Sequence, residues 1–296
     1  MDIKLLADID SKRRKEMSLK LMYITNNSDI ALIAEKYGVD RIWVDLETLG
    51  KAERQKNMDT VKSNHRISDI SKIKPLLTRS EMLVRVNPIN DNSKQEIDAV
   101  VDAGADIIML PMWKNPKEVE KFLNIVNGRA KTTLLLETKE AVACVDDVLN
   151  MGGADEIHIG LNDLHLSYKL TFMFELLSNG VVESLCNKIE KFGIPYGFGG
   201  IAKIGDGLLP AEKIIMEHYR LGSTRAILSR TFCDNARIDD LSEIDRVFNI
   251  NMKKILEFQD SLQCLPMQSF EKNKIEVAEI VSQIVRNKEE CRYDSK

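Results

Sequence analysis

Two acids 26 positions apart carry the clearest chemical signal in the chain. Glu137 closes the apolar run Thr133-Leu134-Leu135-Leu136, and Asp163 follows Glu156-Ile157-His158-Ile159-Gly160-Leu161-Asn162. An ionisable group at the end of a buried strand is costly to desolvate unless something pairs with it. Two carboxylates, each ending a strand about one βα unit apart, are an oxygen-donor pair suited to one hard divalent cation. The plainer alternative is a pair of solvated or salt-bridged strand-end acids.

The elements that would position them are short apolar runs at Leu19–Ile24, Arg41–Leu46, Met82–Val86, Asp106–Leu110, Thr132–Leu136, Glu156–Leu161, Ile194–Phe198 and Arg225–Leu228. They are rich in Ile, Val and Leu and mostly lack strict alternation, the pattern of strands buried on both faces of a parallel sheet. Helical stretches lie between most of them. Ser28–Tyr37 stops at Gly38, Ser93–Ala103 stops at Gly104, and Pro116–Val126 and Pro210–Leu221 each open on a proline. Several strand ends recur at roughly 25-residue intervals, and eight such βα units predict an α/β chain folded as a closed (β/α)8 TIM barrel. An open doubly wound sheet is the competitor.

Two intervals are long. Leu49–Asn64 reads as an inserted loop after strand 2, and Ser167–Asn179 as extra material after strand 6. Both would emerge on the C-terminal face, where barrel enzymes keep their chemistry. Beyond strand 8, Leu241–Leu262 reads as the eighth barrel helix and Ser269–Val285 as a C-terminal helical extension, lying either on its own barrel or on a neighbouring subunit. The expected division is a catalytic barrel over 1–262 and the extension over 263–296.

At 296 residues, 44% of them hydrophobic and 30% charged, the chain has the composition of a globular protein large enough for one such barrel. A net charge of −4 with both signs interspersed gives no electrostatic case for nucleic acid or an anionic membrane. No apolar stretch approaches the roughly 20 residues that span a bilayer. The five cysteines are scattered without a CxxC pair, which fits a reducing cytoplasm better than a disulfide framework or a zinc site.

Barrel strand ends converge on one opening. In order they bring Asp45 and Glu47, Arg85 and Asn87, Pro111, Glu137, Asn162 and Asp163, Gly199 and Gly200, then Ser229 and Arg230. Acids beside arginines suit anionic substrates. The run Gly197-Phe198-Gly199-Gly200 is either a phosphate cradle after strand 7 or a strand exit that needs small residues. Lys51, Arg54 and Lys56 read as a solvated charge run, with a phosphate or CoA tail as the functional alternative.

Five segments together resemble a known family: Val44-Asp45-Leu46-Glu47, Leu83-Val84-Arg85-Val86-Asn87-Pro88, Gly104-Ala105-Asp106-Ile107-Ile108-Met109-Leu110-Pro111, Leu136-Glu137-Thr138 and Ile159-Gly160-Leu161-Asn162-Asp163-Leu164. They are similar to the HpcH/HpaI aldolase and citrate lyase β-subunit family of the phosphoenolpyruvate/pyruvate barrel superfamily, over roughly Leu19 to Phe232. The resemblance implies a metal-dependent carbon–carbon lyase acting on a 2-oxo acid through a pyruvate-type enolate. It puts Mg2+ or Mn2+ on Glu137 and Asp163, the substrate's oxyanion on Arg85, and its carboxylate against the backbone of Leu161, Asn162 and Asp163. It also implies a homo-oligomer, trimer or hexamer.

Three departures bear on the proton-transfer group. The aldolase branch has Gly-Glu-His after strand 2, where this chain has Asp45-Leu46-Glu47-Thr48, closer to the citrate lyase branch. His65, at the end of the inserted loop and 20 positions before Arg85, is a candidate to return to the missing histidine's place. Its alternative is an exposed loop histidine. His165 follows Asp163 closely and is either catalytic or a hydrogen-bonding support. His158 and His218 read as structural. Glu47 is either an aid to proton transfer or a partner of Arg85. The rival activity is a CoA-ester lyase acting on an acyl-CoA substrate. The rival class is a non-catalytic accessory subunit of a lyase complex.

Overall fold

The computed structural model describes residues 17–50, 64–234, 238 and 240–294. Eight parallel strands close into a barrel in the order β1 to β8: Lys20–Ile24, Arg41–Asp45, Glu81–Arg85, Ile107–Leu110, Lys131–Leu136, Glu156–Ile159, Tyr196–Ile201 and Arg225–Leu228. The expected (β/α)8 barrel is the observed fold. The intervening helices are α1 (Ser28–Lys36), α2 (Ile67–Ile73), α3 (Ser93–Asp102), α4 (Pro116–Val126), α5 (Lys139–Ala143), α6 (Val145–Met151), α7 (Leu161–Ser167), α8 (Glu175–Ser178), α9 (Val181–Glu190) and α10 (Ala211–Arg220).

Most strand boundaries fall within one residue of the sequence expectation, and β6 and β7 depart further. β6 stops at Ile159 rather than Leu161, because Gly160 still donates its N–H to Leu136 O at 2.9 Å and then opens α7. Asp163 therefore sits in the first turn of a helix and does not end a strand. β7 continues to Ile201 through Gly199 and Gly200, with a bulge between Gly197 and Gly200 where it pairs with β8. A strand accommodates glycine at bulges and close approaches.

The register of β2 on β3 stacks three kinds of pair from bottom to top of the barrel: Arg41 with Glu81, Trp43 with Leu83, and Asp45 with Arg85. At the bottom, Arg41 reaches Glu156 through Nη1 and Nη2 at 2.6 and 2.7 Å, and Arg225 Nη2 reaches the same carboxylate at 2.8 Å. Strands β2 and β6 lie opposite each other in an eight-stranded barrel, so this ion network runs through the interior. Above it Met22, Trp43, Leu83, Ile107, Met109 and Leu135 form a dry layer. The polar chemistry above that layer is confined to the C-terminal mouth.

After β8, α11 (Leu241–Leu262) packs on α1 and α10 and takes the eighth helix position. The last helix, α12 (Met267–Asp294), lies along α10 and α8 of its own barrel. Phe270, Val277 and Val281 are buried there. Asn273 Nδ2 donates to Glu217 Oε1 at 2.9 Å and to Lys213 O at 3.0 Å. Glu183 accepts from both Arg220 and Lys274, which fastens α9, α10 and α12 together. Among the described residues no helix is long and apolar enough to cross a membrane.

Candidate functional site at the barrel mouth

Asp45 and Glu47, each 2% exposed, stand on the exit of β2 and face Arg85 at the end of β3. Arg85 Nε and Nη2 grip Asp45 Oδ1 and Oδ2, both at 2.8 Å, and Nη1 lies 3.3 Å from Glu47 Oε2. The guanidinium also lies over the Trp43 ring, 5.3 Å from its centroid. Burial works against its charge, but Asp45 and Glu47 outweigh burial and hold its pKa above the ordinary value. The bidentate pair uses two of arginine's five N–H groups and Glu47 faces a third. The remaining N–H groups are available to an anion. The pairing of Arg85 with its neighbouring acids is thus present, and it orients the guanidinium without consuming it.

Glu137 follows β5 directly and is 3% exposed. Its Oε1 accepts the Met112 N–H at 3.1 Å. Met112 presents that N–H from a left-handed backbone, φ 55°, which is unusual for a non-glycine residue and occurs where local structure over-determines it. On its other side Glu137 is pressed against Gly160, where an added β-carbon would sit 2.9 Å from both Glu137 Cβ and Oε2. Desolvation pushes the Glu137 carboxyl well above its ordinary pKa. The charges of Asp163 and Glu47 push in the same direction, and Arg85 opposes them.

Asp45 and Glu47 pair with Arg85, and the charges of Asp163, Arg85 and Glu47 all reach Glu137. Among the described residues no group of three or more His, Cys, Asp or Glu side chains is placed to hold a metal ion. Two carboxylates leave most positions of an octahedral ion to water and substrate oxygens, the usual arrangement for Mg2+. The donor set therefore fits Mg2+ or Mn2+ and does not fit a structural zinc.

His65 returns to this mouth. Its Nδ1 accepts the Asp45 N–H at 2.9 Å, so the neutral ring carries its proton on Nε2. The segment after strand 2 is anchored at both ends. Thr48 and Leu49 leave from Asn87, whose Oδ1 accepts their N–H groups at 2.9 and 3.0 Å, and His65 comes back to Asp45. Lys51, Arg54 and Lys56 lie outside the described residues. Asn87 was visible in the sequence only as a strand-end residue before a proline; its grip on the preceding strand's exit has no sequence signature.

The other histidines fall away from the mouth chemistry. His165 is buried on α7, with Nδ1 3.2 Å from Leu161 O, and burial lowers its pKa. His158 is buried in β6, and burial lowers its pKa to about 4. His218 stacks on Phe198 at 3.9 Å and sits 2.7 Å from Ser223 Oγ. Gly199, at φ 51°, meets the buried Leu161, whose Cδ1 would lie 2.7 Å from an added β-carbon. The left-handed backbone favours glycine there, and an added β-carbon would also make the Leu161 side chain shift. Gly200 lies against Ile227 and Ser229 of the β8 exit.

The family description HpcH/HpaI aldolase/citrate lyase matches residues 20–174, just over half the chain. Among curated proteins no sequence match was found. Similar solved structures include an HpcH/HpaI aldolase from Desulfitobacterium hafniense DCB-2, with 14% identity, coverage of 87% of this chain and 97% of that one, and a TM-score of 0.54. RipC from Yersinia pestis is similar at 13% identity, 79% and 96% coverage and TM-score 0.52. Macrophomate synthase is similar at 15% identity, 77% and 83% coverage and TM-score 0.51. At these identities the structural likeness establishes the barrel, and the matched segment establishes the lineage. Residues 20–174 include β1 to β6 and, with them, Asp45, Glu47, His65, Arg85, Glu137 and Asp163, and on that match the chain belongs to the HpcH/HpaI aldolase/citrate lyase family of carbon–carbon lyases.

Proposed function

We propose that the barrel mouth makes or breaks a carbon–carbon bond beside the ketone of a 2-oxo acid, through a pyruvate-type enolate, with Mg2+ or Mn2+ held by Glu137 and Asp163. The observation that carries this reading is the charge arrangement around Glu137: a buried carboxylate, raised in pKa by burial and by Asp163, beside an arginine already oriented by two other acids. A bound cation would polarise the substrate ketone and lower the cost of charge developing on its oxygen.

The protein's own groups supply the rest. Arg85, held flat by Asp45, directs its remaining N–H groups toward an oxyanion and needs no reorganisation when charge develops. The backbone at Leu161–Asp163 lines the same rim and would meet the substrate carboxylate. His65, with Nδ1 engaged by the Asp45 N–H, would offer Nε2–H as a hydrogen-bond donor to the departing oxygen or to a water that carries the proton. Glu47 stays close to Arg85 and Glu137 and tunes the charge between them.

The test is exchange of the C3 protons of pyruvate in D2O with Mg2+ or Mn2+. The reading expects metal-dependent exchange that is lost in His65→Ala. Purified protein that binds metal but catalyses no exchange would instead support an accessory role in a lyase complex.

A second reading, a CoA-ester lyase, is favoured by Asp45-Leu46-Glu47 at the β2 exit in place of Gly-Glu-His. A melting-temperature rise with CoA would support it. A rise with oxalate and Mn2+ alone would support the aldolase.

A further inference from the structure

Glu47 is the buried acid nearest the solvent-facing end of β2, and the chain turns outward immediately after it: Glu47 is 2% exposed, whereas Thr48, Leu49 and Gly50 are exposed. Backbone at such a turn keeps its orientation only if something satisfies its polar groups. One side chain does so on both sides of Glu47. Asn87 Nδ2 donates to Leu46 O at 3.3 Å, just before the acid. Asn87 Oδ1 accepts from Thr48 N at 2.9 Å, Thr48 Oγ1 at 3.3 Å and Leu49 N at 3.0 Å, just after it.

Asn87 is itself held from behind. Glu96 Oε1, on α3, accepts from Asn87 Nδ2 at 2.8 Å and from Asn87 N at 3.2 Å. Burial raises the pKa of Glu96 and these two bonds oppose the rise. The acceptor on Glu96 also fixes which end of the amide faces the β2 exit, since only the Nδ2 end can donate to it. Within the bracket, Glu47 N donates to Asp45 Oδ1 at 3.2 Å and the Glu47 carboxylate faces Arg85.

We infer that Asn87, backed by Glu96, is a positioning residue that fixes Glu47 against Arg85 and so sets the charge felt by the enolate site. Its catalytic consequence rests on the lyase reading above; the clamp itself does not. Releasing Asn87 would free Leu46 O and the Thr48 and Leu49 N–H groups to water and loosen the hold of Glu47 on its place beside Arg85. The substrate's direct contacts would be unaltered, so the turnover rate should fall while KM changes little.

The experiment combines hydrogen exchange with a mutant cycle. In Asn87→Ala the Thr48 and Leu49 amides should exchange about tenfold faster, while β3 amides stay protected. Unchanged Thr48 and Leu49 exchange overturns the clamp whatever the protein's activity. Pyruvate C3 exchange in Asn87→Ala should fall about tenfold in kcat, with KM within about threefold. In a Glu47→Gln background the same substitution should add almost nothing, because the two residues act as one unit. An undiminished tenfold loss in that background overturns the positioning role. If the unaltered protein exchanges no pyruvate protons, the lyase reading fails, and the amide data alone decide the clamp.

Discussion

Gly160 lies where any β-carbon would stand 2.9 Å from Glu137 Oε2, so the glycine that follows β6 leaves room for the acid that follows β5. Gly160→Ala should push the Glu137 carboxylate off its position between Met112 N–H and Asp163. The expected result is Mn2+ binding weakened by about tenfold or more, read by electron paramagnetic resonance titration, with about 1–3 kcal/mol of overpacking strain in denaturant unfolding. Wild-type Mn2+ affinity in that variant would mean the carboxylate does not need this place.

Arg85→Lys keeps one positive charge and loses the two-pronged hold on Asp45. A single ammonium cannot satisfy both Asp45 oxygens and face Glu47 at the distances seen. Pyruvate proton exchange should drop about 100-fold, and stability by about 2 kcal/mol, since buried acceptors lose their donors. A variant with full exchange activity would reduce Arg85 to a structural ion-pair partner.

Acid should destabilise the fold in two stages. Burial lowers His158 from 6.5 to about 4. The unfolded chain therefore binds the extra proton first, and stability falls as pH drops from about 6.5 toward 4. For Glu156, burial alone would raise the carboxyl, but hydrogen bonds from Arg41 and Arg225 outweigh it and bring it from 4.5 to about 2. Its contribution is present above about 4.5 and is lost as pH falls toward 2. Each is worth on the order of 3 kcal/mol. Guanidinium titrations at successive pH values should show the decline beginning below 6.5, with the lower stage flattened in Glu156→Gln. Stability unchanged from pH 7 to 4 would contradict the buried, neutral state of His158.

Phe270 anchors α12 against the barrel and is fully buried within one chain. Phe270→Ala should cost about 3–5 kcal/mol. Because α12 lies on its own α8 and α10, the loss should be the same at low and high protein concentration. A loss that grows on dilution would place the helix on a neighbouring subunit.

The barrel was legible because β-branched and leucine-rich runs at a regular beat leave few alternatives for parallel strands. The errors fell where local chemistry overrides that pattern. Leu161 prolonged the β6 run by its hydrophobicity alone, although Gly160 had already turned the chain into α7. Gly199 and Gly200 read as a loop, yet β7 runs through them with a bulge, and the space beside Gly199 belongs to Leu161. For the site, residue types at strand ends placed Arg85, Glu137 and Glu47 at one mouth. The partners that orient them were not legible. Nothing in the residue types tells Asn87 to hold Thr48, His65 to cap the Asp45 N–H, or Met112 to adopt a left-handed backbone for Glu137. Those contacts arise from closure of the barrel, which brings chain segments together irrespective of their separation in sequence.

The central claim is that Glu137 and Asp163 hold a divalent cation, and the most direct measurement is Mn2+ affinity of Glu137→Gln beside the unaltered protein. The amide oxygen can still accept the Met112 N–H, so the fold should persist while the anionic donor is lost. The predicted result is Mn2+ binding weakened by about 100-fold or more with an unchanged melting temperature. Unchanged Mn2+ affinity would contradict the assignment.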